Sequence, residues 1–128
     1  MLIQVDQQID ELGEPEVFTW DLFPLVEAQK TAHLYDEGLP RLGTRITPGM
    51  IIIGKIAKTR DFDPNNQPNA VEKHTWTLDE LRETYGAMWK DTSVYATRDT
   101  SGIVSLAMIV QVGDRFRAVV ELRPEAAR

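Results

Sequence analysis

The sequence predicts a β-rich α+β domain: a small antiparallel sheet, barrel-like in its closure, with a short tip helix and one further helix. Three observations lead there. Residues 50–56 contain three consecutive isoleucines, β-branched and stiff at χ1, which fit a buried strand better than a helix. Two apolar-rich runs, 102–112 and 115–122, flank Gly113-Asp114 as the arms of a hairpin flank its turn. Thr77 and Glu80 form a T-x-x-E capping box ahead of apolar residues spaced three and four apart.

Composition sets the outer limits. With 128 residues, 42% hydrophobic and 27% charged, the chain reads as one globular domain over residues 1–128. A chain of this size buries enough surface to need no disulfide or structural metal. The absence of cysteine excludes thiolate zinc sites and a cysteine nucleophile. Twenty acidic residues against fourteen basic give a net charge of −6, so the molecule as a whole repels polyanions. The longest apolar run, Met50 to Ile53, is far shorter than the ~18 to 20 residues of a membrane helix. The acidic start also lacks the basic flank of a signal peptide, so the expectation is a cytoplasmic protein with no membrane partner.

Taken in order, Leu2, Ile3 and Val5 open the chain as a short strand, and Leu12-Gly13-Glu14-Pro15-Glu16 turns it before Val17. Pro24 suits the first turn of a helix, with Leu25, Ala28, Ala32 and Tyr35 at helical spacing and Gly38 as the stop. Arg45-Ile46-Thr47 reads as a strand, Pro48-Gly49 as a turn, and Met50 to Ile56 as the buried strand. Residues 59–75, polar with two prolines and three asparagines, form a loop long enough to suggest function. A helix then starts at Leu78 and carries Leu81 and Tyr85 on the same stripe. Trp76 and Leu81 can close a hydrophobic staple, and Gly86 ends the helix before Met88-Trp89.

Several local patterns invite chemistry. Gly49 to Ile56 approaches a phosphate-binding loop, but Ile56 has no hydroxyl for Mg²⁺ and large apolar side chains do not curl into a phosphate nest. Asp61, Asp63, Asn65, Gln67, Asn69 and Glu72 have calcium-loop spacing, without the glycine of the sharp turn and with Pro64 and Pro68 stiffening the loop. His33 and His74 stand alone, and Ser93, Ser101 and Ser105 lie outside any nucleophile context. No catalytic residue, metal site or cofactor is therefore assigned. Lys55, Lys58 and Arg60 make a small basic cluster, read either as an RNA-contacting patch or as a solvated strand end. Trp76, Leu78, Leu81, Tyr85, Met88 and Trp89 either dock the capped helix on its own sheet or face a partner protein.

The run from Asp36-Glu37-Gly38 through Gly43-Thr44-Arg45-Ile46-Thr47-Pro48-Gly49-Met50-Ile51-Ile52-Ile53-Gly54-Lys55 resembles a stretch of the bacterial RNA polymerase β subunit. Its pattern there is approximately DE-x-G, then G-x-x-V-x-P-G-D-I-L-V-G-K. Lys90-Asp91-Thr92-Ser93 matches that family's K-D-T-S, and Leu12-Gly13-x-Pro15-Glu16 is similar to its L-G-P-E turn. The resemblance implies a flap domain hinged over the RNA exit channel, with a tip loop and helix over about residues 59–90. That helix would hold a sigma factor and meet elongation or termination factors, alongside the other polymerase subunits and nascent RNA.

Departures mark the resemblance as divergent. Glu80 and Thr84 stand where the family has leucine and isoleucine, and Met50 replaces the aspartate of P-G-D. On this reading the chain has no nucleotidyl-transfer activity alone, since it holds no metal-binding aspartate triad. Leu81→Glu is expected to abolish factor binding and leave the fold intact. The alternatives are a free-standing flap-like protein that sequesters a transcription factor, and a calcium-dependent module built on residues 61–72.

Overall fold

Backbone pairing in the computed structural model, which describes residues 1–125, gives nine strands among the described residues. The last three residues of the expected 1–128 domain lie outside them. In chain order the strands are β1 (Leu2–Asp6), β2 (Val17–Phe18), β3 (Arg45–Ile46), β4 (Ile51–Ile53), β5 (Lys55–Lys58), β6 (Trp89–Asp91), β7 (Val94–Tyr95), β8 (Gly102–Val112) and β9 (Arg115–Arg123). All pairings are antiparallel: a curled sheet in the order β1-β9-β8-β3, a smaller one β2-β5-β6, and the pair β4-β7. The helical residues are α1 (Ala70–Lys73), then α2 (Leu78–Glu80), a π turn over Leu81–Tyr85 and α3 (Gly86–Met88), the last three continuous over residues 78–88. No helix among the described residues is long and apolar enough to cross a membrane.

Ile51 to Ala57 are all buried, and they divide the interior between them. Ile52 and Ile53 join Ile46, Val104, Ala118, Val120 and Leu122 in the main core under the four-stranded sheet. Ile51 and Ile56 pack with Leu22, Val26 and Leu34 in a second cluster. Burying each of these side chains contributes roughly 1.5 to 3 kcal/mol, which is why the isoleucine run dominates its neighbourhood. It is broken at Gly54 into β4 and β5, where one strand was expected. The 102–122 hairpin forms as expected, with a bulge between Val104 and Leu106.

The helix expected after Pro24 does not form. Its periodic positions Ala28, Ala32 and Tyr35 are exposed, and the buried residues are Leu22, Val26, Thr31 and Leu34. Packing of Leu22, Val26 and Leu34 on Ile51 and Ile56 overrides the weak periodicity. The segment instead makes two short 3₁₀ turns, Ala28–Thr31 and Asp36–Gly38, and folds back so that the Tyr35 N–H donates to Leu39 O at 2.9 Å. Gly86 does not end its helix either: its φ of −64° and ψ of −23° are helical, and the coil runs on to Met88.

Three chain segments cross at Gly38, Gly54 and Thr19. The Gly54 N–H donates to Gly38 O at 2.8 Å, and the Thr19 N–H donates to Gly54 O at 3.1 Å. A Cβ on Gly54 would run into Thr19 O, and one on Gly38 would lie 2.8 Å from the same oxygen. Only glycine fits either position, and Gly38 also holds a φ of +76° that side chains rarely adopt.

Gly54→Ala should therefore lower the unfolding free energy by about 1 to 3 kcal/mol or more through overpacking. Gly86→Ala should raise it by about 0.4 to 1 kcal/mol, because its Cβ meets nothing nearer than 3.6 Å and helical glycine wastes chain entropy. Urea denaturation of the two variants checks both signs.

Candidate partner interface

The 59–90 lobe is built from two capped helical turns. Asn69 caps α1: its Oδ1 accepts the Glu72 N–H at 2.9 Å while its Nδ2 donates to Glu72 Oε1 at 2.7 Å. Gln67 donates to Asp63 O at 2.8 Å and accepts the Trp89 indole N–H at 2.9 Å. Four of the residues with calcium-loop spacing, Asp63, Gln67, Asn69 and Glu72, are thus engaged within the chain. Among the described residues no group of three or more His, Cys, Asp and Glu converges.

Thr77 and Glu80 form the capping box in both directions, Thr77 Oγ1 accepting the Glu80 N–H at 3.2 Å and Glu80 Oε2 accepting the Thr77 N–H at 3.3 Å. The π turn that follows directs its apolar side chains inward. Leu81, Tyr85 and Met88 are 2%, 6% and 3% exposed, in a third cluster with Phe23, Phe62, Trp76 and Trp89. Phe62 meets Trp89 edge-on with centroids 5.2 Å apart.

These positions bear on the six residues read as either docking the helix on its own sheet or facing a partner. Of the six, Leu81, Tyr85 and Met88 serve the interior, Trp76 and Trp89 are half-buried, and Leu78 alone is exposed, at 47%. Leu81→Glu would place a carboxylate inside the cluster and cannot leave the fold intact.

Sequence reasoning missed the residue that ties this lobe down. Lys73, only 2% exposed, donates to Phe23 O at 2.8 Å and Asp21 Oδ1 at 3.2 Å, with its ammonium 4.1 Å from the Tyr85 ring centroid. Burial holds that ammonium below the usual lysine range against the opposing pull of Asp21. Burial, with the Asp21 charge beside it, pushes the Tyr85 hydroxyl up to about 12. The spacing Asn69-x-x-Glu72 was the available signal, since it is a helix cap as well as a ligand pattern.

The basic cluster is also not what its spacing suggested. Lys55 is buried and donates to Glu16 Oε1 at 2.6 Å. Lys58 pairs with Glu14 and lies 4.8 Å from the Phe62 ring centroid, and the Arg60 backbone N–H donates to Glu11 Oε2 at 2.8 Å. Antiparallel pairing of β2 with β5 thus lays the acidic run Glu11, Glu14 and Glu16 along Lys55, Lys58 and Arg60. Lys55 cannot reach a phosphate, and Lys58 is neutralised.

Asp91, at the end of β6, and the Thr92-Ser93 connection that follows it are clasped to the same strand. Asp91 Oδ1 accepts the Ser93 N–H at 3.0 Å, Ser93 Oγ accepts the Lys55 N–H at 3.0 Å, and the Thr92 N–H donates to Lys55 O at 2.9 Å. Asp91 Oδ2 accepts the Tyr95 hydroxyl at 2.5 Å, and burial with this bond raises the tyrosine above its ordinary range. Around Glu16, burial pushes the carboxyl up. Hydrogen bonds from Lys55 and the Gln8 N–H outweigh it, and the group titrates below its ordinary value.

Glu16→Gln would leave the Lys55 ammonium buried without its partner and should cost about 3 kcal/mol at neutral pH. Replacing both residues by Leu and Met should recover most of that loss. Because the folded carboxyl titrates below its ordinary 4.5, its stabilisation is present above that pH and is lost as the pH falls through the folded value. Stability of the Glu16→Gln variant should accordingly decline less steeply than wild type below about pH 5, read by denaturant midpoints.

No family model matches the chain. It is 33% identical over 106 residues to the DNA-directed RNA polymerase subunit beta of Porphyromonas cangingivalis, covering 80% of this chain and 8% of that protein. The corresponding subunits of Phocaeicola vulgatus and Porphyromonas gingivalis are each 32% identical over 109 residues, with the same coverage. The chain spans about 8% of the length of the curated relatives it matches. Over four-fifths of its residues it is therefore a divergent relative of one segment of the DNA-directed RNA polymerase β subunit.

Proposed function

We propose that the chain is a flap-like domain of a β-like subunit of multisubunit DNA-directed RNA polymerase, walling the path by which nascent RNA leaves. Its capped helix offers a surface to a sigma, elongation or termination factor. One observation carries the reading: the motifs of the resemblance are the contacts that hold this fold. Gly38 and Gly54 make the backbone crossing, and Lys55, Asp91 and Ser93 make the clasp. A chain similar to the β subunit by chance would have no reason to place those residues against one another.

The wall is passive toward RNA. With Lys55 and Lys58 neutralised by Glu16 and Glu14, the domain lines a path without gripping phosphates. Its contribution is surface, and no residue is assigned to catalysis. With Leu81, Tyr85 and Met88 turned inward, the factor-facing residues are Leu78 and the rim of Trp76, set among exposed Asp79, Glu80 and Glu83. Glu80, where the family has leucine, is occupied in the helix cap and need not be buried by a partner.

The test is binding of the purified chain to purified sigma and elongation factors of a bacterium carrying one of the relatives, by biolayer interferometry. Wild type should bind one of them, and Leu78→Glu should weaken it about tenfold or more with an unchanged melting temperature. Unchanged affinity in that variant removes the helix from the interface. No binding by wild type removes the factor-docking role.

A further inference from the structure

The four-stranded sheet has an open edge. β3 covers β8 only at Gly102 and Ile103, with further bonds between Val104 and residues 43 and 44. From Ser105 to Val112 the side of β8 facing away from β9 has no backbone partner among the described residues. The usual protections of an edge strand are missing there: residues 102–112 hold no charge and no proline, and the single bulge lies at one end, leaving Leu106 to Val112 in regular register with β9.

Beside this edge lies a groove of about 430 Å³. Val17, Phe18, Ile109 and Phe116 line it, together with Glu37 and the ion-paired Glu14 and Lys58; Val17 and Phe116 are 39% and 44% exposed. Ile109 belongs to the sheet face that packs on the main core, so a strand added along β8 would lay every second side chain toward this groove. Glu37 is in no ion pair among the described residues and holds the left-handed φ of 65° beside exposed Asp36.

We infer that the open edge of β8 accepts an extended, cationic segment of another protein, which continues the sheet through its backbone. Alternate apolar side chains enter the groove, and intervening lysine or arginine residues meet Glu37 and its neighbours. Charge selects this occupant over a second copy of the chain: a molecule of net charge −6, with Glu37 as the carboxylate of the groove outside any ion pair among the described residues, repels itself and attracts a basic strand. The inference does not depend on the polymerase reading.

The probe is the synthetic octapeptide KVKVKVKV, added to the full ¹⁵N-labelled chain, with amide shifts and hydrogen exchange as readouts. Binding should shift and protect amides between Leu106 and Val112. EVEVEVEV should not bind, and KVKVKVKV N-methylated at every residue should lose binding because neither of its edges can form the ladder. Glu37→Lys, an exposed substitution, should weaken the cationic peptide about two- to fivefold. Equal binding of the N-methylated or acidic peptide, or no protection in β8, would overturn the proposal. Protection of β8 that depends on protein concentration without peptide would replace it with self-association.

Discussion

The crossing of Gly38, Gly54 and Thr19 sets the geometry of the molecule. Backbone bonds there tie the turn at 36–38, the break between β4 and β5, and the end of β2 into one point, with no space for a side chain. Once Gly54 is held, the isoleucines on its N-terminal side are divided between the two cores. Lys55, immediately after it, has its backbone clasped by Ser93 and Thr92 and its ammonium by Glu16. A buried ion pair is weak evidence for stability, because desolvation offsets much of the attraction. Its value here is one of registry: it lets β2 pair with β5 in one alignment, the alignment that also brings Glu14 to Lys58.

That arrangement explains what could be read from the sequence. The hairpin over 102–122, the isoleucine strand and the Thr77–Glu80 cap were legible because each rests on neighbours a few residues away: alternation, β-branching, a side chain bonding its own backbone. The 24–37 segment was not legible, because Leu22, Val26 and Leu34 take their positions from Ile51 and Ile56, far off in sequence. Gly86 was misread for a related reason. Glycine ends a helix by adopting the left-handed conformation, and here the burial of Met88 in the third cluster keeps it helical.

At the candidate interface, residue type was readable and direction was not. An amphipathic stripe tells that one face is apolar, and says nothing of whether the chain supplies its own cover. Phe23, Phe62 and Lys73 supply that cover, and none of them is near residues 78–88 in the pattern that revealed the helix. The basic cluster shows the same limit with charge: Lys55, Lys58 and Arg60 look like a patch until the acidic turn, some forty residues earlier, is laid along them.

The two surfaces left open therefore differ in kind. The capped helix has spent most of its apolar face on the chain itself, so a partner there meets Leu78 within an acidic surround and gains little hydrophobic burial. The edge of β8 has spent nothing: its backbone groups on one side and an adjoining apolar groove are both unused by the chain. Unsatisfied backbone groups of a long uncharged strand are satisfied by water in the free molecule and by a ladder when a strand arrives, and the apolar area then buried supplies the net gain. For a domain whose net charge repels polyanions, the contact that its surface favours most is thus with a basic polypeptide strand, at a place separate from the helix.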